Sequence, residues 1–183
     1  MTDTLSVYSQ AVILAIDELS LYFQATLTRV WAVRGQTPVV RVSPQRDQVH
    51  FYGGLDVRTG RDIALPAPEQ TAEVTADFIR LLLVLFPTQP ILLLLDRAPW
   101  HHGPPVDELL EENPRLELLY FPPACPELNP QEHVWEQTRD TISHNHNYPQ
   151  FQALIDAFET YLNETPFQTD FMQHYAPAIL CEF

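Results

Sequence analysis

The sequence predicts an α/β fold in which a mixed five-stranded sheet is flanked by helices. Three short segments rich in β-branched and aromatic residues come first, and strands then alternate with helices, with no internal repeat. The chain has 183 residues, of which 45% are hydrophobic, so it is long enough to bury a core between a sheet and its helices.

The first three strands are predicted from apolar runs and one turn. Residues 11–16, AVILAI, form a short apolar run that ends at Asp17. Residues 48–57 and 61–67 flank the sequence RTGR, and their composition predicts a hairpin. The chain therefore opens with a three-stranded meander.

The alternating part begins with a helix over residues 75–86, where apolar side chains recur at helical spacing after a cap predicted at Thr75. Residues 91–95, ILLLL, predict a strand that is buried on both faces, because apolar residues cover both. A short amphipathic helix at residues 106–113 and a fifth strand at residues 116–121 follow. Two further helices are predicted at residues 129–143 and 148–165.

The charge distribution argues against tight, unaided DNA binding. The formal net charge is −14, and residues 101–183 hold 14 acids against two arginines. Residues 19–61 reverse this balance, with six arginines against two aspartates. A local basic surface therefore remains compatible with DNA contact.

The sequence predicts neither a secreted nor a membrane protein. Its most apolar stretch is interrupted by Pro87 and Pro90, and it has no signal-peptide pattern. Two cysteines, Cys125 and Cys181, are too few for a disulfide framework or a four-ligand zinc site. We therefore expect a soluble intracellular protein with no membrane partner.

Three acids occupy positions where such a sheet gathers its ligands. Asp17 and Asp96 directly follow buried strands, and Glu132 follows Asn129, a predicted helix N-cap. Because ligands of open α/β sheets bind at the carboxyl ends of strands, the three carboxylates are expected to converge. Structural alternatives stay open: Asp17 or Glu18 could begin a turn, Asp96 could cap a helix, and Glu132 could complete a capping box.

Clustered carboxylates of this kind indicate a metal site. They repel one another unless they hold cations, and their hard oxygen atoms suit Mg²⁺ or Mn²⁺. Two such ions about 4 Å apart activate a water and stabilise the leaving oxygen of a phosphodiester. The residues thus lead to a hypothesis of metal-assisted phosphoryl transfer.

Four motifs make the sequence resemble a known family. They are AIDE, RGQTP, LLDRAPWH and FPPACPELNPQEHVW, and 35 residues separate Asp96 from Glu132. On these motifs, residues 10–165 resemble the DDE transposases of the mariner superfamily, in particular the branch carried by bacterial insertion sequences. The resemblance implies a ribonuclease H-like fold.

The resemblance also implies a catalytic and metal-binding triad of Asp17, Asp96 and Glu132 that holds two Mg²⁺ or Mn²⁺ ions. Such transposases cleave DNA at transposon ends and join the freed 3′-hydroxyl to a target, usually at TA. A homodimer in the bacterial cytoplasm, associated with the nucleoid, is implied as well.

The same resemblance implies roles for the residues around the triad. His101 would contact the scissile phosphate or orient Asp96. Arg97 stands where the superfamily often has asparagine, and would either contact a phosphate or form a salt bridge. Asn129 would shape the turn that aims Glu132 inward.

The helix-turn-helix domains that normally precede the catalytic domain have no counterpart before the first predicted strand. Residues 1–183 are therefore expected to form a single ribonuclease H-like domain. Recognition of transposon ends would then fall to a separate helix-turn-helix polypeptide. The competing hypothesis is a catalytically silent remnant that serves as a protein-binding or dimerisation module.

The segment between the first two strands, TLTRVWAVRGQTPVVRV, is the predicted partner-facing arm. Arg29, Arg34 and Arg41 are its candidate DNA-facing residues, and an ordinary solvated hairpin is the alternative. Trp31 could anchor a dimer or lie in the core, whereas Trp135 is predicted to pack in the core.

Two other patterns are not assigned any chemistry. His144 and His146 are two residues apart at a helix end and cannot easily share one tetrahedral zinc site, so zinc is disfavoured and these residues have no assigned role, like His102. Gly53 and Gly54 are interpreted as a bend within a strand rather than as a phosphate-binding loop.

Overall fold

The structure, a computed structural model, describes residues 10–24, 27–37, 39, 46–123 and 125–168. Five strands form one sheet in the order β3-β2-β1-β4-β5. The strands are β1 (Val12–Tyr22), β2 (Gln48–Asp56), β3 (Asp62–Ala67), β4 (Ile91–Leu95) and β5 (Leu116–Tyr120). β1 to β3 form an antiparallel meander, whereas β4 pairs parallel to β1 and β5 parallel to β4. The predicted mixed five-stranded sheet is confirmed.

Helices cover both faces of this sheet. They are α1 (Ala72–Leu85), α2 (Pro104–Glu112), α3 (Pro130–Thr138) and α4 (Phe151–Glu164). Short 3-10 turns lie at Pro99–His101 and Pro126–Leu128, and a π-helical turn, Arg139–Ser143, follows α3. Across the described residues, no helix is both long enough and apolar enough to span a membrane.

The core lies in two layers, one on each face of the sheet. On one face, Leu14 of β1 packs in a cluster with Phe78 of α1. On the other, Leu19 of β1 packs in a cluster with Trp135 of α3 and Phe158 of α4. Because the side chains of a strand alternate between faces, neighbouring residues of β1 reach opposite layers.

The start of α1 differs from the prediction. Thr71, not Thr75, is the N-cap, and its hydroxyl accepts a hydrogen bond from the Val74 N–H at 3.3 Å. Thr75 is buried inside the helix, with its hydroxyl 3.3 Å from that of Tyr52. The prediction was wrong because the apolar pattern starts only at Phe78, while the first turn is specified by the cap.

Candidate active site

Asp17 lies inside β1, directly after the buried run of residues 13–16. β4 pairs with β1 only as far as Ala15, opposite Leu94, while β2 pairs on to Tyr22. The prediction that Asp17 ends a strand is therefore wrong, as is the alternative that it begins a turn. What ends before Asp17 is the pairing with β4. Continuing that register by two residues would place Asp17 beside Asp96.

Asp96 follows the last residue of β4 directly. Its Oδ1 accepts hydrogen bonds from the Ala98 N–H and from Nδ1 of His101, both at 2.8 Å. Asp96 therefore closes a tight turn before the Pro99–His101 segment, and it does not cap α2. Both bonds use Oδ1, which leaves Oδ2 as the oxygen available to a cation.

Glu132 lies in the first turn of α3, and Asn129 fixes where that turn begins. The Asn129 Oδ1 accepts from the Gln131 N–H at 3.1 Å, which confirms Asn129 as the N-cap. Its Nδ2 donates to the carbonyl of Ile16 at 3.1 Å, so the start of α3 is tied to β1 beside Asp17. The Asn129 N–H donates to the Pro126 carbonyl, so a capping box with Glu132 does not form.

Gly53 of β2, which pairs with Asp17, leaves the space that α3 needs. A Cβ at this position would lie 2.5 Å from Cη2 of Trp135 and closer still to Nε2 of Gln131. Gly53 and Gly54 both lie in regular strand pairing, so the predicted bend is wrong. Trp135 is buried in the core as predicted, and its Nε1 also donates to Oδ2 of Asp17 at 3.0 Å.

The three acids line one cleft of about 310 Å³. Arg97 and Asn129 line it as well, together with Ala98, Phe121, Pro122, Pro123, Cys125 and Pro126. Burial, and after it the charges of Glu132, Glu18 and Asp96, together raise the pKa of Asp17 to about 8. The three carboxylates therefore interact electrostatically, and Asp17 is the one that most needs a cation.

The carboxylate oxygens of the three acids suit hard divalent cations, although the three side chains do not converge on one point. In the described part of the chain, no group of three His, Cys, Asp or Glu side chains could hold a metal ion as placed. Glu132 is exposed and can rotate, whereas Asp96 is held by Ala98 and His101, and Asp17 by Trp135. Oxygen ligands from three acids suit Mg²⁺ and Mn²⁺.

A buried network beside the acids was not predicted in full. Nε2 of His101 lies 2.9 Å from Oε1 of Glu18, and Nε1 of Trp100 donates to Oε2 of Glu18 at 2.7 Å. Burial lowers the pKa of His101, but its hydrogen bonds to Asp96 and Glu18 outweigh this effect and raise the pKa to about 10. The same His101 bond lowers the pKa of Asp96. Sequence reasoning considered Glu18 only as the possible start of a turn, because its partners are more than 80 residues away. Glu18 lies inside β1, so that alternative is wrong.

Two arginines face the acids. Arg97 is exposed in the cleft, and no carboxylate of the described residues forms an ion pair with it, so the predicted salt bridge is not formed there. Arg139, half-buried in the π-helical turn, lies within electrostatic range of Glu132 and Asp17. Sequence reasoning missed Arg139; the signal was its position two helical turns after Glu132.

The predicted arm is exposed where the structure describes it. Arg29 and Arg34 are exposed, and Arg41 lies outside the described residues. Trp31 is fully exposed, so the alternative that it belongs to the core is wrong. The Thr28 N–H donates to the Asn145 side chain at 3.2 Å, which fixes the arm beside the end of the π-helical turn.

The other histidines do not form a metal site in the described residues. His144 contacts Asp140 at 2.7 Å, His102 stacks on Tyr120, and His146 is exposed. These contacts are local.

Comparison with known families identifies the family of this chain. The family model described as DDE superfamily endonuclease matches residues 12–155, which include all three acids. The chain belongs to the DDE superfamily endonucleases. The predicted resemblance is thereby confirmed for the DDE family.

Two curated relatives of this DDE endonuclease chain are bacterial. The insertion element IS630 uncharacterized 39 kDa protein of Shigella sonnei is 24% identical over 140 residues, covering 76% of this chain and 41% of that protein. The uncharacterized protein y4pE/y4sA of Sinorhizobium fredii (strain NBRC 101917 / NGR234) is 34% identical over 64 residues, covering 35% and 44%. The chain thus spans less than half the length of either relative.

Solved structures of the Mos1 transposase share the fold. Its paired-end complex with the left transposon end has a TM-score of 0.68 at 17% identity, covering 98% of this chain and 57% of that one. Its paired-end complex with Mn has a TM-score of 0.66 at 17% identity, covering 98% and 57%. Its catalytic domain alone gives 0.61 at 14%, covering 98% and 85%. The ribonuclease H-like fold predicted for this chain is therefore confirmed.

Proposed function

We propose that this chain is a transposase catalytic domain that cleaves DNA at transposon ends and transfers the strands by metal-dependent phosphoryl transfer. The observation that carries the proposal is the single cleft lined by Asp17, Asp96 and Glu132. Membership of the DDE endonuclease family supports it, since the matched residues include the whole cleft wall formed by these acids.

The three acids are the proposed ligands of two Mg²⁺ or Mn²⁺ ions. Divalent ions at this site would supply an activated water and stabilise the leaving oxygen. Burial and neighbouring charge disfavour the carboxylate of Asp17, and a bound cation would offset this cost. The Mn complex of Mos1 supports the choice of cation by analogy.

The arginines of the cleft are proposed to bind the DNA backbone. Arg97 offers an exposed guanidinium at the mouth, and Arg139 places a second positive charge near Glu132 and Asp17. A guanidinium can bind a phosphate with two parallel hydrogen bonds. His101 is buried against Asp96, which favours the role of orienting Asp96 over direct contact with the phosphate.

Partner binding is proposed for the exposed arm. Arg29 and Arg34 provide positive charge, and Trp31 with Leu27 and Val33 provides exposed apolar surface that a second copy of the chain would cover. We propose a homodimer on transposon ends, with end recognition by a separate helix-turn-helix polypeptide and insertion at a TA-type target. The acid excess of the chain supports a separate source of DNA affinity.

The test is Mn²⁺-dependent nicking of supercoiled plasmid DNA by the purified chain. The wild type should convert the plasmid to the open circle, while Asp96→Asn and Glu132→Gln should leave it at background. Glu136→Gln is the matched control, because Glu136 is exposed on the same helix and does not line the cleft. Nicking that survives Asp96→Asn would overturn the assignment.

The catalytically silent remnant is the second candidate function. It is favoured by the absence, in the described residues, of three ligands already placed for a metal, and by the acidic composition. A remnant would neither nick DNA nor bind Mn²⁺, yet would still self-associate through the arm. Analytical ultracentrifugation of the wild type and Trp31→Ser measures that association independently of nicking.

A further inference from the structure

Glu18 is a buried acid near the cleft with both carboxylate oxygens hydrogen-bonded, although it does not line the cleft. Its side chain is only 3% exposed, and each carboxylate oxygen has its own donor. His101 binds Oε1 at 2.9 Å and Trp100 binds Oε2 at 2.7 Å. Burying a carboxylate is costly unless it is paired in this way, so the position demands an explanation.

The alternation of β1 explains how Glu18 and Asp17 divide the site. Asp17 points to the layer of α3, where Trp135 binds it. Glu18 points to the opposite layer, where the Pro99–His101 turn carries both of its partners. Two consecutive residues of β1 therefore hold the elements that carry the other two acids: α3 with Glu132, and the loop with Asp96.

His101 connects Glu18 to Asp96 through hydrogen bonds to both residues. The imidazole is 0% exposed and lies between the two carboxylates. Its Nδ1 lies 2.8 Å from Oδ1 of Asp96 and 3.1 Å from the Asp96 carbonyl oxygen. The ring can thus fix both the side chain and the backbone of Asp96, provided that Glu18 fixes the ring.

We propose that Glu18 is a positioning residue that sets the orientation of the Asp96 carboxylate through His101, keeping Oδ2 directed at the cation site. The inference rests on the proposed function, because it assumes that Asp96 binds a metal. Partners of this kind, one step removed from the metal, typically contribute about 10–100-fold to metal affinity or activity.

Glu18→Gln tests the proposal with little change in shape. The amide offers one acceptor oxygen where the carboxylate offers two, so Trp100 Nε1 and His101 Nε2 can no longer each donate to an oxygen of their own. We expect Mn²⁺ binding, measured by isothermal titration calorimetry, to weaken about 10-fold or more. Excess Mn²⁺ should then restore nicking at saturation, because the defect is in ion binding. Glu108→Gln, at an exposed position of α2, is the control and should bind as the wild type does.

A double-mutant cycle with His101→Asn tests the route. If Glu18 acts through His101, the two substitutions together should weaken Mn²⁺ binding no more than the stronger one alone. Additive losses would overturn the route. Trp100→Phe, which removes only one donor, is the milder variant if Glu18→Gln does not fold, and it should weaken binding by a factor of about 2–5, less than Glu18→Gln.

Failure of this inference differs from failure of the proposed function. If the wild type binds no Mn²⁺ and does not nick DNA, the proposed function fails. If the wild type binds and nicks but Glu18→Gln lowers only the thermal midpoint and leaves Mn²⁺ affinity unchanged, Glu18 is merely structural and the positioning proposal is wrong.

Discussion

Asp17 and Asp96 line the same cleft, yet the protein shifts their pKa values in opposite directions. Burial and neighbouring acids raise that of Asp17 to about 8, whereas the His101 hydrogen bond lowers that of Asp96. One carboxylate is already stabilised as an anion, and the other is not. Under the proposed function, a bound cation would supply the stabilisation that the folded chain does not give to the Asp17 carboxylate.

The largest expected effect comes from Gly53→Ala, which changes the packing of α3 beside Asp17. The new Cβ would overlap Trp135 and Gln131 and push α3, with Glu132, away from Asp17. We expect the free energy of unfolding in urea to fall by about 2 kcal/mol, and nicking to be lost.

Gly54→Ala is the control for this overlap. Its Cβ would lie 3.0 Å from Cδ1 of Ile16, the end of a flexible side chain. It should keep nicking activity. Equal losses of nicking activity in both variants would show that the substitutions disrupt β2 itself rather than the packing of α3 against it.

Asp17→Asn should stabilise the fold at high pH. A pKa raised to about 8 means that the folded state binds a proton that the unfolded state has lost, so stability falls as the pH rises from about 4 to 8. The variant lacks this fall and should exceed the wild type by at least about 2 kcal/mol at pH 9, while matching it near pH 4. Chemical denaturation at both pH values measures this, and a variant that is less stable at pH 9 would contradict the charge argument.

Asp62→Asn should act in the same direction with a smaller effect, away from the cleft. Burial raises the pKa of Asp62 to about 7, and its Oδ1 and the Oε1 of Gln131 are buried without donors among the described residues. An amide supplies the missing N–H while still accepting from Gln131. We expect a gain of about 1 kcal/mol at pH 9 and unchanged Mn²⁺ binding. Altered Mn²⁺ binding would mean that Asp62 belongs to the site.

Asp96→Asn should give the smallest change in stability, with the opposite sign. A lowered pKa means that the carboxylate stabilises the fold above about pH 4 and loses this contribution as the pH falls further. Because the side chain is 56% exposed, solvent screens the effect, and the variant should lose less than about 1 kcal/mol at pH 7. If Asp96→Asn instead gained stability at pH 7, the Asp96 carboxylate would not stabilise the fold, and the contrast between the pKa shifts of Asp96 and Asp17 would be wrong.

The sheet and the three acids were predictable because they leave local signals. Apolar runs such as residues 91–95 specify buried strands, and Asn129 before a proline specifies a helix start. The exposure of Trp31 and the true end of β1 at Tyr22 were not predictable, since each depends on which other segment is near.

The contacts that hold the three acids in place were not predictable for the same reason. Glu18 meets Trp100 and His101 only because β1 and β4 are neighbours in the sheet. Gly53 matters only because Trp135 packs against it. Contacts between residues far apart in sequence leave no periodic pattern, so a single sequence shows which acids are present but not what holds them.

The central claim is that Asp17, Asp96 and Glu132 together bind divalent cations, and calorimetric titration of Mn²⁺ into the purified chain at pH 7 tests it most directly. The account predicts saturable binding to the wild type and to Glu136→Gln, and loss of binding in Asp17→Asn, Asp96→Asn and Glu132→Gln alike. Equal binding by the wild type and all three variants, or no binding by the wild type, would contradict it.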